Sequence, residues 1–302
     1  MEADSLGSRT AAVIVSFHPT EDLSYRIMTI LKQVGLVIVV DNTPGGASCL
    51  QGLEDGRLKL IVNGENRGLA AAQNQGIRFA IECGFEWVLL LDQDSLPAPD
   101  FMEVMSGYYW SLTESEKEKL LMLAPNVFDE LGGFFYRHVL PAPWGFIRKL
   151  CGHQRCLKGV FFSISSGSLI PVRVFSEIGL MDEDFFIDYV DNDFCLRGLS
   201  KGMVIHVVCP AVLFHSLGDR RRYYSLGPVK VRPSFHPPLR RYFIYRNRVR
   251  VWKRYGRKVP GFVMFDLLAA IYDVLRIIFF EENSGEKLLA AFRGLSEGIR
   301  LP

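Results

Sequence analysis

Residues 87–97 read WVLLLDQDSLP, an apolar run that stops at Asp92 and carries a second carboxylate at Asp94. A short, unbroken apolar run bounded by polar and turn-forming residues fits a strand buried on both faces. Working outward, Ala11 to Phe17, Leu36 to Asp41 and Leu58 to Asn63 have the same character, whereas Leu23 to Val34 and the Ala-rich Leu69 to Cys83 read as helices. This alternation predicts an α/β fold with a mostly parallel sheet covered on both sides. Ligands of such sheets bind beyond the carboxyl ends of the strands. Polar residues gather at those ends here: Ser16, Asp41 with Asn42, Asn63, and Asp92 with Asp94.

Two carboxylates two residues apart at a strand exit are the hard oxygen ligands preferred by Mg²⁺ or Mn²⁺, ions that also hold phosphate oxygens. Asn66, Arg67, Gly68 and the small residues Ala70 to Ala72 lead into a helix carrying Gln73 and Asn74. Small residues let backbone approach a diphosphate, and a helix N-terminus favours an anion. There is no Walker A pattern and no GxGxxG, which argues against an ATPase or a dinucleotide enzyme.

Taken in order, VIVSFHPT, VVDN, ENRGLAAAQNQG, LLLDQDS, SSGSLI, FFIDYVDNDFCLRG and HPPLRRYFIYRN resemble the family 2 glycosyltransferases of GT-A fold, and within them the bacterial rhamnosyltransferases. The resemblance runs from Ala12 to about Asn247. It implies a GT-A (Rossmann-like) nucleotide-sugar-binding domain with a helical C-terminal extension. Ser16, Phe17, Asp41 and Asn42 would meet the base and ribose, Asn66, Gly68 and Asn74 the ribose and diphosphate, and Asp92, Gln93 and Asp94 the ribose and metal. His215 in LFHSLG matches a histidine that completes metal binding. Ser166, Gly167, Asp188 and Arg241 are further substrate-binding positions. Asp191 falls where the family has the aspartate of its acidic motif, the general base, although Val190 precedes it here in place of the commoner glutamate. The implied reaction is inverting and metal-dependent, with dTDP-L-rhamnose as donor and a glycan or lipid-linked acceptor.

Three aspartates compete for the role of base. Asp193 stands four residues before Arg197, the favoured order for a helical ion pair, and Asp188 lies in an extended aromatic stretch that could shape an acceptor pocket. Asp191, near a helix start, is expected to be kept ionised by unpaired backbone N–H groups.

The 302 residues suffice for a catalytic domain over about 1–215, with donor-binding and acceptor halves meeting near 125, and an appended segment over 216–302. With 49% hydrophobic and 23% charged residues, neither disorder nor a polytopic membrane protein is indicated. Basic residues crowd between Arg220 and Lys258, so Arg240, Arg241, Arg246 and Arg248 are expected to meet diphosphates or anionic lipid headgroups. No recognition fold for nucleic acid accompanies them. The six cysteines form no recognisable disulfide framework, and Cys151, His153 and Cys156 lack the second half of a zinc site. The polar first ten residues contain no secretory signal, which predicts a cytoplasmic protein.

The apolar stretch Gly261 to Phe280 is interrupted by Asp266, Asp273 and Arg276, too often for a spanning helix. On a helix these three fall near one side, opposite a wide apolar face, which predicts peripheral contact with the inner face of the plasma membrane or packing on the catalytic domain. A nucleotidyltransferase would want a Gly-rich basic loop after the first strand, where SFHPTED stands, and a non-catalytic sugar-binding subunit would have no need of Asp92, Asp94 and Asp191 together.

Overall fold

The computed structural model describes residues 5–215, 224–226, 229–231 and 235–301, so Arg220 and the first four residues lie outside the described part. Up to His215 the strands are β1 (Thr10–Ser16), β2 (Leu36–Asp41), β3 (Leu58–Val62), β4 (Trp87–Asp92), β5 (Leu96–Pro97), β6 (Leu120–Asp129), β7 (Phe134–Phe135), β8 (His138–Ala142), β9 (Gly145–Lys149), β10 (Cys156–Lys158), β11 (Leu169–Pro171) and β12 (Val204–His215). The helices are α1 (Asp22–Ile30), α2 (Leu69–Glu82), α3 (Phe101–Trp110), α4 (Glu114–Glu118), α5 (Val172–Ile178), α6 (Val190–Leu199), α7 (Pro238–Tyr255), α8 (Pro260–Phe280) and α9 (Ser284–Arg300).

The main sheet runs β10-β12-β6-β11-β4-β1-β2-β3. Strands β3, β2, β1 and β4 are parallel, and the short antiparallel β11 joins them to the parallel pair β6 and β12. The four N-terminal strands thus lie where their apolar runs predict. β1 and β4 are buried nearly throughout because helices cover both faces. The parallel register brings Ser16 beside Asp41, and Val15 beside Asp92, so the polar strand ends line up on one edge.

Two features depart from the sequence reading. The charge-mixed stretch Asp100 to Leu121, which reads as helical, gives way to β6 at Leu120, and β12, which reads as a strand only over Met203 to Val208, continues through a register shift to His215. That continuation carries His215 to the same edge as Asp92. The second departure concerns cysteine, since Cys151 and Cys209 are disulfide-bonded with Cα atoms 5.4 Å apart. Their separation of 58 residues hides the pairing in the sequence, and a bonded Cys151 cannot serve as a zinc ligand.

The C-terminal helices share the core of the sheet: Ile244, Tyr245, Val251 and Phe262 belong to the same buried cluster as Val13 and Val88. α9 packs closely on α7. A Cβ at Gly294 would lie 2.2 Å from the Tyr242 carbonyl oxygen, and one at Gly298 would lie 2.6 Å from that of Arg246, so only glycine permits this approach. α8 is turned the other way round from an ordinary surface helix. Its buried positions include Asp266 and Asp273, while Leu267, Leu268, Ile271, Leu275, Ile278 and Phe279 are exposed. Among the described residues no helix is long and apolar enough to cross a membrane.

Candidate active site

At the edge where β1, β2 and β4 end, a cleft of about 650 Å³ opens between the sheet and α7–α8. Ser16, Phe17, Asn42, Asn66, Gly68, Asp92, Gln93, Asp188 and Asp191 all line it. Gln93 ties two strand exits together, accepting from the Phe17 N–H at 2.7 Å and donating to the Phe17 carbonyl at 3.3 Å.

Other expected substrate contacts lie behind the surface, where their side chains are already committed. Asp41 is fully buried and accepts from Ser16 Oγ (3.0 Å), Thr43 Oγ1 (2.7 Å) and the N–H groups of Thr43 and Ala47 (3.1 and 2.7 Å). Asn74 binds the Met181 backbone in both directions at 2.9 Å and donates to Glu183 at 2.8 Å, which fixes the loop leading to residues 186–189. Ser166 Oγ accepts from the Asp92 N–H at 3.1 Å and sits 2.6 Å from Ser95 Oγ. Gly167 packs against Pro125 and Leu213.

Arg241 is placed differently from the expectation. Its side chain, 1% exposed, is clasped by Asp273 and Glu281 at 2.7 Å, outside this cleft. Its neighbour Arg240 lines the cleft instead and holds Asp188 in a bidentate pair at 2.9 and 3.0 Å. One position on a helix changes the facing direction by about 100°, so the sequence could not say which of two adjacent arginines turns inward.

Asp92, Asp94 and His215 offer ligand atoms within 4.8 Å of one another. His215 Nδ1 is 3.2 Å from Asp94 Oδ1 and Nε2 is 3.7 Å from Asp92 Oδ2, while Ser95 Oγ, 2.9 Å from Nδ1, orients the ring. Among the described residues neither carboxylate has a lysine or arginine in ion-pair contact. Burial raises the Asp92 pKa, and Asp94 adds to it. Burial opposes the His215 imidazolium, yet the Asp94, Asp92 and Asp129 carboxylates outweigh it and hold the pKa above the ordinary histidine value. Converging anions that favour a positive charge on His215 would favour a divalent cation in the same place, and two carboxylates with an imidazole fit Mg²⁺ or Mn²⁺.

The wall of the cleft formed by residues 186–189 is unusual backbone. Phe186, Asp188 and Tyr189 have φ of 58°, 59° and 64°, a left-handed region that bulky residues avoid. Asn247 on α7, fully buried, over-determines this conformation by donating to the carbonyls of Phe185, Ile187 and Asp188 at 2.8, 2.9 and 3.0 Å. Gly68 closes against the other side. A Cβ there would lie 2.5 Å from the Phe186 ring and 2.8 Å from its carbonyl oxygen, which instead accepts from the Leu69 N–H at 2.6 Å. Asn247 lay within the quoted motif, but only its buried position reveals what it holds.

The three competing aspartates are sorted by their partners. Asp188 is taken by Arg240. Asp193 is paired with Arg197 (3.0 Å), as the spacing predicts, and also with Arg254 (2.9 Å) and Tyr255 (2.8 Å). Asp191, in the first turn of α6, accepts only the Asn192 N–H at 3.1 Å and has no cation partner among the described residues. Burial, aided by the fields of Asp92 and Asp188, pushes its pKa up to about 6, so the helix N-terminus does not hold it at an ordinary carboxylate value.

A cleft at the strand ends of a mostly parallel sheet, lined by Asp92 and Asp191, is the arrangement of a GT-A glycosyltransferase. The chain belongs to Glycosyl transferase family 2, which matches residues 14–178, over half its length. It is 29% identical to the dTDP-rhamnosyl transferase RfbF of Shigella flexneri, over 98% of this chain and 97% of that one. It is 25% identical to the low-salt glycan biosynthesis hexosyltransferase Agl10 of Haloferax volcanii, covering 95% and 90% of the two chains. Among solved structures its fold is similar to that of GalNAc-T7 with UDP, GalNAc and Mn²⁺, at a TM-score of 0.61 and 14% identity. That similarity covers 99% of this chain but 57% of the larger one.

Proposed function

We propose that this glycosyltransferase moves L-rhamnose from dTDP-L-rhamnose, with inversion, to a hydroxyl of a glycan or lipid-linked acceptor. The acceptor oxygen attacks the anomeric carbon, its proton passes to Asp191, and the bond to the dTDP oxygen breaks as the new C–O bond forms. One displacement inverts the centre and needs no enzyme nucleophile. The observation that carries this reading is that Asp191, of three neighbouring aspartates, has no cation partner among the described residues, with a pKa near 6 suited to accepting a proton. Mg²⁺ or Mn²⁺, when held by Asp92, Asp94 and His215, would offset the negative charge that develops on the departing diphosphate. Asp41, Asn74, Ser166 and Gly167 act by positioning the lining residues. The choice of rhamnose is supported by the relative named for that donor, not by any contact in the cleft.

The test is a melting-temperature panel of nucleotide sugars with and without each metal, because a ligand that binds only the native state raises Tm. We expect dTDP-L-rhamnose to raise Tm only with Mg²⁺ or Mn²⁺, and Asp94→Ala to abolish the rise. Turnover of UDP-hexoses with none of dTDP-L-rhamnose would remove the donor, and full activity after EDTA treatment would remove the metal.

The catalytic part would span residues 1–215 and the C-terminal segment 216–302 would serve a membrane surface from the cytoplasmic side. The outward apolar face of α8, with basic residues upstream, supports such contact. Flotation of the protein with anionic liposomes, lost in Leu267→Glu/Ile271→Glu, is expected; equal flotation of both would reject it.

A further inference from the structure

One stripe of α7 is turned toward residues 182–188. Arg240, Phe243, Asn247, Arg250 and Arg254 are spaced alternately by three and four, so they lie along one side of the helix. Their partners run backwards along the chain. Arg240 pairs with Asp188, and Phe243 stacks on Phe186 with ring centroids 5.1 Å apart. Arg250 reaches Asp184 at 3.1 Å, and Arg254 reaches Asp182 at 2.7 Å. Asn247, in the middle of the stripe, meets backbone instead. Arg246 Nε donates to Asn247 Oδ1 at 3.0 Å, which fixes the orientation of the amide and turns its NH₂ group toward the carbonyls of Phe185, Ile187 and Asp188.

What this amide holds leads directly to Asp191. Phe186, Asp188 and Tyr189 have positive φ, a strain that persists only where surrounding contacts over-determine it. Tyr189 is the residue from which α6 starts, and the first turn of α6 carries Asp191. The Asp191 carboxylate accepts only the Asn192 N–H and has no cation partner among the described residues, so its direction is set by the backbone that leads into it. The Phe186 carbonyl accepts from the Leu69 N–H on the opposite side, which fixes the wall between α2 and α7.

We infer that Asn247 is a positioning residue for the transfer: through the carbonyls of Phe185, Ile187 and Asp188 it keeps the wall in its left-handed path and so aims Asp191 at the acceptor oxygen. The inference rests on the reading of Asp191 as the base. It brings α7, beyond residue 215, into the working site, through a side chain that is fully buried and touches neither the donor nor the acceptor. An aspartate at this position would set a carboxylate against three carbonyl oxygens, and an alanine would leave them without their donor.

The test joins two measurements on the full chain. Hydrogen exchange read by mass spectrometry needs no substrate, and Asn247→Ala should speed exchange several-fold over residues 185–193 while leaving β1 and β4 unchanged. Release of dTDP from dTDP-L-rhamnose with Mg²⁺, water serving as acceptor, reports on the base. Asn247→Ala should lower that rate about 10²-fold, the worth of a misplacement of about 1 Å, with dTDP affinity within a few fold of the parent's. In an Asp191→Asn background the same substitution should cost less than about threefold, because residues that act as a unit are not additive. Arg246→Met changes a half-buried side chain, so the fold should persist, and it frees the amide to turn; an approximately fivefold loss is expected, again absent in the Asp191→Asn background. Asp193→Asn, which weakens the packing of α6 on α7 without reaching the wall carbonyls, controls for stability. Unchanged exchange over 185–193 in Asn247→Ala, full turnover of that variant, equal losses in the two backgrounds, or an equal loss in Asp193→Asn would each overturn the inference. Failure of the base reading is distinguishable: Asp191→Asn would then keep full turnover by itself and take the inference with it, while the faster exchange of Asn247→Ala would remain.

Discussion

At the strand ends Asp92, Asp94 and Asp191 have no lysine or arginine in ion-pair contact among the described residues, whereas along α8 and its end Asp266, Asp273 and Glu281 are each clasped by one or two basic side chains. Both groups are carboxylates at the margin of one core. Asp266 accepts from Tyr189, Arg248 and Trp252 at 2.7, 3.1 and 2.8 Å, so its charge is fully answered from within. Burying a charge is costly unless it is paired, so an unanswered carboxylate persists only where something outside the chain, a cation or a proton in transit, answers it. The cleft carboxylates are therefore read as chemistry and the helical ones as architecture.

The comparison is broken most directly at Asp191 and Asp193, two residues apart on α6. Asp191→Asn keeps the size and the hydrogen bond to Asn192 but cannot accept a proton. We expect turnover with saturating donor to fall by roughly 10²–10⁴, with nucleotide affinity nearly unchanged. Asp193→Asn should leave turnover of the folded enzyme within a few fold and lower its stability. Full activity of a folded Asp191→Asn enzyme would transfer the role of base to another carboxylate.

Architecture is tested at Arg241. Removing one partner of a buried ion pair leaves the other charged and unanswered, so Arg241→Ala should cost roughly 3–5 kcal/mol in urea unfolding. Replacing both members, Arg241→Met with Asp273→Leu, should recover part of that loss, because Glu281 keeps Lys287 at 2.9 Å while Arg276 gives up its contact with Asp273. A single variant as stable as the parent would mean that the α8 carboxylates are as solvated as those in the cleft.

These two regions also differ in how far the sequence exposes them. Four buried strands, their polar ends, the pair Asp92 and Asp94, and the Asp193–Arg197 spacing are local patterns, and local patterns survive in one dimension. The facing direction of α8 is not local. Its apolar stripe is plain in the sequence, but which side meets the core is decided by Arg241 and Arg248 on α7, whose side chains need buried acids more than the core needs Leu267 or Ile271. Arg240 and Arg241 differ by one residue and by the whole width of a helix. Asn247 and the Cys151–Cys209 bond act across the fold, so no spacing announces them. Asp191 is legible by position, but its lack of a cation partner among the described residues follows only from the placement of Arg197, Arg240 and Arg254.

A smaller effect sharpens the comparison further, through stability instead of rate. The folded-state pKa of Asp191 stands at about 6, against 3.8 for an unperturbed aspartate, chiefly through burial. The native protein therefore binds this proton more tightly than the unfolded chain does, and ionising it works against the fold. Below the unfolded value the penalty is absent, it grows as pH rises from about 4 to about 6, and above that it is fully present. A shift of this size corresponds to no more than about 3 kcal/mol, and the open cleft reduces it to about 1–2 kcal/mol. Asp191→Asn should therefore be more stable than the parent by about that amount at pH 7.5 and indistinguishable from it at pH 4. Saturating Mg²⁺ should narrow the difference only in part, because the field of Asp92 is secondary to burial. Parallel stability curves for the two proteins from pH 4 to 7.5 would mean that Asp191 is solvated like a surface carboxylate, and the contrast with Asp193 on which its role as base depends would disappear.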